Sequence, residues 1–153
     1  LDEASTGAYD DWAKTPDGAL ALVILCDQFP RHIHRDDALA FASDDRALKT
    51  AQMAIEQGFD LKCTFVERCF LYLPFEHSED LDMQERAVEL FRTLFRATQT
   101  EEEGRFVAEA LEYAIRHRNV IAKFGRFPHR NETLGRKTSR VEREFLKQPG
   151  SVF

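Results

Sequence analysis

Apolar side chains recur along this chain at the spacing of helices. Between Ser43 and Gln57, residues Ala47, Leu48, Ala51, Ala54 and Ile55 fall on one helical stripe, and Gly58 closes it. Upstream, Thr15-Pro16-Asp17 reads as a helix start: a capping hydroxyl, proline at the first helical position and an acid against the positive dipole end. The run Ala19 to Cys26 is apolar all round and predicts a central helix, with Asp27 ending the run and Pro30 interrupting the helix. Thr64 is placed to cap a further buried helix over Phe65 to Leu73, stopped by Pro74. Ser78 then reads as the N-cap of a helix reaching about Thr98, with Glu79 and Asp80 in its first turn and Ala87, Val88, Phe91, Leu94 and Phe95 as its core stripe. After the acidic turn Thr100 to Gly104 a long helix carries two stripes. One runs Phe106, Ala110, Tyr113, His117, Val120 and Phe124; the other holds Val107, Leu111, Ala114 and Ile121. Gly125 ends that helix in a left-handed cap, and Ser139 to Glu142 forms a capping box for a short helix ending near Gln148.

No segment alternates with period two, so the class is all-α, antiparallel helix pairs with no sheet. The 153 residues fit one domain, and 43% hydrophobic content with thirteen phenylalanines supplies a substantial core for a soluble globular protein. The longest apolar run is far below the roughly 20 residues a membrane span requires. No secretory signal opens the sequence, which gives a cytoplasmic expectation. Cys26, Cys63 and Cys69 lack paired spacing and sit among apolar neighbours, as reduced core thiols do.

Charge is unevenly distributed. Residues 1 to 114 carry a net −13 and residues 115 to 153 a net +7. The basic end either neutralises the acidic helices or attracts an anion, while an overall pI of 5.4 argues against nucleic-acid binding.

Its densest part is Phe124 to Arg136, FGRFPHRNETLGR, and Asp27 to His32, DQFPRH, repeats the Phe-Pro step and basic pair. Asp27, at the negative end of a buried helix, needs a cation or a proton, and Arg31 is the local candidate. Glu76 and His77 fall in an irregular turn, where Glu76 is placed to orient His77 as a general base. His117 lies within an apolar stripe, as a core histidine with a partner or as a pocket lining. His32 and His34 alternate like metal ligands, but no third ligand is spaced to join them, so no metal is expected. Walker, Rossmann, HExxH, GxSxG and kinase signatures are absent, and no cofactor is expected.

LALVILCDQFPRH, FLYLPFEHSEDLDMQ and FGRFPHRNETLGRKTS resemble the three sequence blocks of the bacterial family called domain of unknown function 924, from about Trp12 to Phe145. The resemblance implies a tetratricopeptide-like right-handed helical array. It maps the family's blocks onto Asp27 to Arg31, His77 to Glu79, Phe124 to Asn131 and Leu134 to Arg136. His32 stands where asparagine is usual, and Thr138-Ser139-Arg140-Val141-Glu142 replaces Ser-Thr-Pro-Glu-Glu. The family commonly begins with an aromatic-rich helical region that is not found here, so a single helical domain, 1–153, lacking that N-terminal region and a pocket wall with it, is the expectation.

Three functions follow. A binding module would gather Asp27, Arg31, His77, Arg126, His129, Arg130 and Arg136 around a small carboxylate or phosphate. An enzyme would use His77 or His129 as general acid or base, oriented by Glu76 or Asp27. A protein-interaction scaffold would use the same residues as ion-paired staples, with a protein partner elsewhere on the surface; none of the three calls for a nucleic acid or a membrane.

Overall fold

The computed structural model describes residues 6–151, and among them every regular element is helical. Six α-helices follow in order: α1 Pro16–Ile33, α2 Asp44–Glu56, α3 Phe65–His77, α4 Leu81–Ala97, α5 Glu101–Phe124 and α6 Arg140–Leu146. Short 3-10 turns lie at Asp10–Lys14, Ala38–Phe41, Asp60–Lys62 and Pro128–Arg130. From α1 to α5 each helix packs against the next, and α3 also meets α1 and α5, as fits a helical array joined by short connections.

Local chemistry sets most boundaries. Thr15 accepts a hydrogen bond from the Gly18 N–H, and Thr64, Thr100 and Ser139 each form a capping box with the glutamate three residues on. Gly125 closes α5 at φ 68°, a conformation that favours glycine. α1 begins tightly against the preceding turn. A β carbon on Gly18 would lie 2.2 Å from the Trp12 carbonyl oxygen.

Five expectations change. Asp27 and Pro30 do not end α1, which runs on to Ile33; likewise Pro74 lies inside α3, which continues to His77. Proline's fixed φ suits a helix, and each costs the one hydrogen bond its nitrogen would donate to Cys26 or Phe70. Both prolines are buried, and tertiary contacts hold the single turn that follows. Glu76 and His77 therefore occupy a last helical turn and not an irregular loop. The cap of α4 is Asp80, whose carboxylate accepts from the Asp82 and Met83 N–H groups, while Ser78 ends α3. Finally, residues 101–104, expected as a turn, form the first turn of α5.

The main core joins α1 to α5. Fully buried alanines (Ala19, Ala51, Ala54, Ala87 and Ala114) let the helices approach, and Tyr72 meets Phe91 edge-on at 5.7 Å between ring centroids. The Tyr72 hydroxyl donates to Asp60 at 2.8 Å. Burial of an aromatic side chain of this size contributes roughly 1.5–3 kcal/mol. Cys26, Cys63 and Cys69 are free thiols, two of them buried. Along α5 the expected stripe is covered only in part: Phe106 and Tyr113 are 44% and 43% exposed. No described helix is long and apolar enough to cross a membrane.

Candidate functional site

The last turn of α3 presents two adjacent ionisable residues in different directions. His77 Nδ1 lies 2.7 Å from Asp27 Oδ1 on α1, and the next carboxylate, Glu76, places Oε1 2.9 Å from His117 Nδ1 on α5. Glu76 thus orients His117, and the partner of His77 is Asp27. Both acids are buried, Asp27 completely. Burial opposes the Asp27 charge, but His77, Arg31 and Gln28 outweigh it and hold the carboxyl down at about 2. The two imidazoles stand 6.2 Å apart between centroids. Asp27 accepts from the His77 Nδ1–H, which leaves Nε2 of that ring open to other chemistry, whereas His117 Nδ1 lies 2.9 Å from both Glu76 and the Tyr113 carbonyl.

Asp44, at the start of α2, gathers the arginines. Arg31 grips it through two parallel hydrogen bonds of 2.8 and 2.9 Å, also reaching Asp27 Oδ1 at 3.1 Å. Arg130, from the Pro128–Arg130 turn, adds a third contact at 3.3 Å and donates to the His77 carbonyl at 3.0 Å. Its guanidinium lies between the Phe41 and Phe127 rings, 4.5 Å from each centroid. Burial lowers Arg130 to about 10, so it remains cationic at neutral pH. Although only 6% exposed, Arg130 has an Nε with no hydrogen-bond partner in the protein.

Arg31, His77, His117 and Arg130 border a cavity of about 810 Å³. Its ionisable lining comprises Arg31, Arg35 and Arg130, four histidines (His32, His77, His117 and His129) and one acid, Asp36. Burial, then Arg130, lowers His129 to about 4, so its ring is neutral at physiological pH. Phe41, Leu73, Thr133 and Leu146 supply part of the remaining wall.

Other arginines of the same stretch do a different job. Arg136 pairs with Glu79 at 2.6 and 2.9 Å. Between them they hold Phe127 by both backbone groups: Glu79 accepts its N–H at 2.7 Å and Arg136 donates to its carbonyl at 3.1 Å. Burial raises the cost of the Glu79 charge, but Arg136 and the Phe127 N–H keep the carboxyl below its ordinary range. Arg126 grips Glu142 on α6 at 2.7 and 3.0 Å, and Asn131 donates to the same carboxylate. Arg126, then the Ser139 and Asn131 bonds, overcome burial and hold Glu142 well below the carboxylate range.

Of the seven ligand candidates read from the sequence, Arg31, His77, His129 and Arg130 line the cavity. Asp27 stands behind His77, while Arg126 and Arg136 lie outside the lining and are occupied by acids. Sequence reasoning missed Arg35, Phe41, Asp44 and Gln84. Asp44 is an acid in the first turn of a helix, a place so common for acids that its sequence position gives no sign of the arginines it meets. Gln84 did leave a signal in its spacing, a polar residue three and four positions before Ala87 and Val88 of the core stripe; the structure buries it fully, and its Nε2 donates to the Glu76 and Ser78 carbonyls at 2.5 and 2.7 Å, ending α3 beneath the site. Among the described residues no group of three His, Cys, Asp or Glu side chains could hold a metal ion.

No curated protein matches this chain. The solved structure of ATU0120, a protein of unknown function from Agrobacterium tumefaciens, is similar at 37% identity and a TM-score of 0.84, covering 95% of this chain and 76% of the other. The model of one bacterial family matches residues 1–150, which include all the side chains that build the cavity. With DQFPRH, EHSE and FGRFPHRN meeting in one place, the chain belongs to the bacterial proteins of unknown function grouped as DUF924.

Proposed function

We propose that the cavity binds a small anion, a carboxylate or phosphate, through Arg31, Arg35 and Arg130. The observation that carries this reading is the lining itself: three guanidiniums share one cavity with a single lining acid, and Arg35 has no ion pair among the described residues. An anion placed there would also offer an acceptor to the unpartnered Nε of Arg130. The volume suits a metabolite-sized molecule. Titration calorimetry with phosphate and citrate tests the proposal on wild type and Arg35→Ala, whose exposed side chain can be removed without disturbing the core. Weakening of about tenfold, or 1.4 kcal/mol, is expected in the variant. Equal affinities, or no binding by wild type, would overturn it.

A catalytic reading has its own support in the 2.7 Å Asp27–His77 contact. A buried carboxylate on Nδ1 fixes the tautomer and leaves Nε2 to take a proton, as a general base must. His129, lowered to about 4, is a poor base at neutral pH. In a screen of chromogenic phosphate and carboxylate esters, this reading expects turnover that His77→Gln reduces at least about a hundredfold. Turnover indifferent to that change, or none at all, leaves binding as the function.

A further inference from the structure

A second cavity of about 310 Å³ lies against the first, and its chemistry is the opposite. Cys69, Phe70, Phe91, Phe106, Ala110 and Tyr113 make it a largely apolar cleft between α3, α4 and α5, with Glu76 its one lining acid. Leu73, His77 and His117 line both cavities, so the wall between the basic and apolar spaces is one layer of side chains thick. Phe106 and Tyr113 are the residues of the α5 stripe left exposed, large apolar groups on the open side of the cleft. Exposed singly they would need no explanation; grouped around a cleft that abuts a basic cavity, they do.

We infer that the ligand is amphipathic: an anionic head on Arg31, Arg35 and Arg130, and an apolar tail that crosses the His77–His117 edge into the cleft. This rests on the anion-binding reading above and adds the substrate class. Charge complementarity fixes the orientation, since the guanidinium side cannot solvate a hydrocarbon chain and the cleft offers a carboxylate no cation. The histidine edge that separates head from tail carries the Asp27–His77 pair, so that pair would face the bond joining them.

Acetate, hexanoate and decanoate, with inorganic phosphate as a head-only probe, test the inference by calorimetry on the full chain. Affinity is expected to rise about fourfold for each methylene that enters the cleft. Phe106→Ser, at an exposed position, and Ala110→Phe, which fills the cleft, are both expected to flatten that dependence while leaving phosphate binding intact. Phosphate binding without any rise along the series overturns the amphipathic ligand and leaves the anion site standing. A rise that survives both variants places the tail elsewhere and also overturns it. A concentration-dependent dimer in wild type that Phe106→Ser disperses would assign the cleft to a second copy of the chain. Failure of every probe, phosphate included, removes the anion site and this inference together.

Discussion

Replacing Asp44 by asparagine separates structural pairing from ligand binding. The carboxylate takes two hydrogen bonds from Arg31 and one from Arg130, and the three side chains are 20%, 18% and 7% exposed. At an effective dielectric near 20, each guanidinium attracts it by about 4 kcal/mol at 4 Å, and desolvation of the three groups cancels much of the sum. Removing one member of a buried pair costs roughly 3–5 kcal/mol, and of an exposed pair no more than about 1. The intermediate exposure here puts Asp44→Asn at about 2–3 kcal/mol of lost stability in urea denaturation. The same change strips Arg130 of its carboxylate partner and leaves Arg31 with Asp27 alone. Added phosphate should then bind the variant more tightly than wild type and return more stability to it, up to about 2.7 kcal/mol at a hundredfold excess over Kd. If the variant loses stability and phosphate restores no more of it than in wild type, the arginines serve only to hold Asp44. A loss below about 0.5 kcal/mol would refute the pairing argument itself.

Four further outcomes follow from the geometry. Gly18→Ala sets a β carbon 2.2 Å from the Trp12 carbonyl oxygen, so the Asp10–Lys14 turn must shift; a loss of about 1–3 kcal/mol is expected, and unchanged thermal melting would contradict it. Gln84→Leu leaves the carbonyls at the end of α3 without their donor, costing about 1–3 kcal/mol and displacing the His77 ring resonances in NMR spectra; an unmoved His77 would refute the positioning role. His129 stays neutral in the folded chain until about pH 4 and takes a proton in the unfolded chain near 6.5. Its contribution is therefore complete above pH 6.5 and lost as pH falls toward 4, about 2–3 kcal/mol that His129→Gln should remove from the acid limb of a stability profile. Burial pushes the Cys69 thiol up to about 12, so native protein at pH 8 should leave it unlabelled by a thiol reagent that reacts fully in urea.

Much of the fold was legible because it depends on near neighbours. The Thr64 cap, the Ser139–Glu142 capping box and the Gly125 stop of α5 are each legible from within a single turn of chain, whereas the Thr100–Glu103 box reads as a turn. Pro30 and Pro74 misled because the rule that proline stops a helix omits what tertiary contacts can hold in the next turn. Ser78 lost the cap to Asp80, two residues on, whose carboxylate accepts two N–H groups. The site was half legible for the same reason. Arg31, His77, His129 and Arg130 stood out by type, but a pattern of types cannot say which acid each basic residue meets. Arg126 and Arg136 carry the same guanidinium as Arg130, and only the folded chain delivers Glu142 and Glu79 to them.

The contacts of Arg130 also bear on the order of assembly. It reaches Asp44 across 86 residues of chain and the His77 carbonyl across 53. Loops of that length must lose their closure entropy before the contact repays it, so such pairs come late in folding. A polypeptide still leaving the ribosome can stack its first four helices with Asp27, Asp44 and His77 in place before either Phe127 or Arg130 has been added. The basic cavity comes into being when the last third of the chain arrives and locks down through Glu79 and Glu142. The cavity is thereby a property that the first four helices lack until the last third of the chain has joined them.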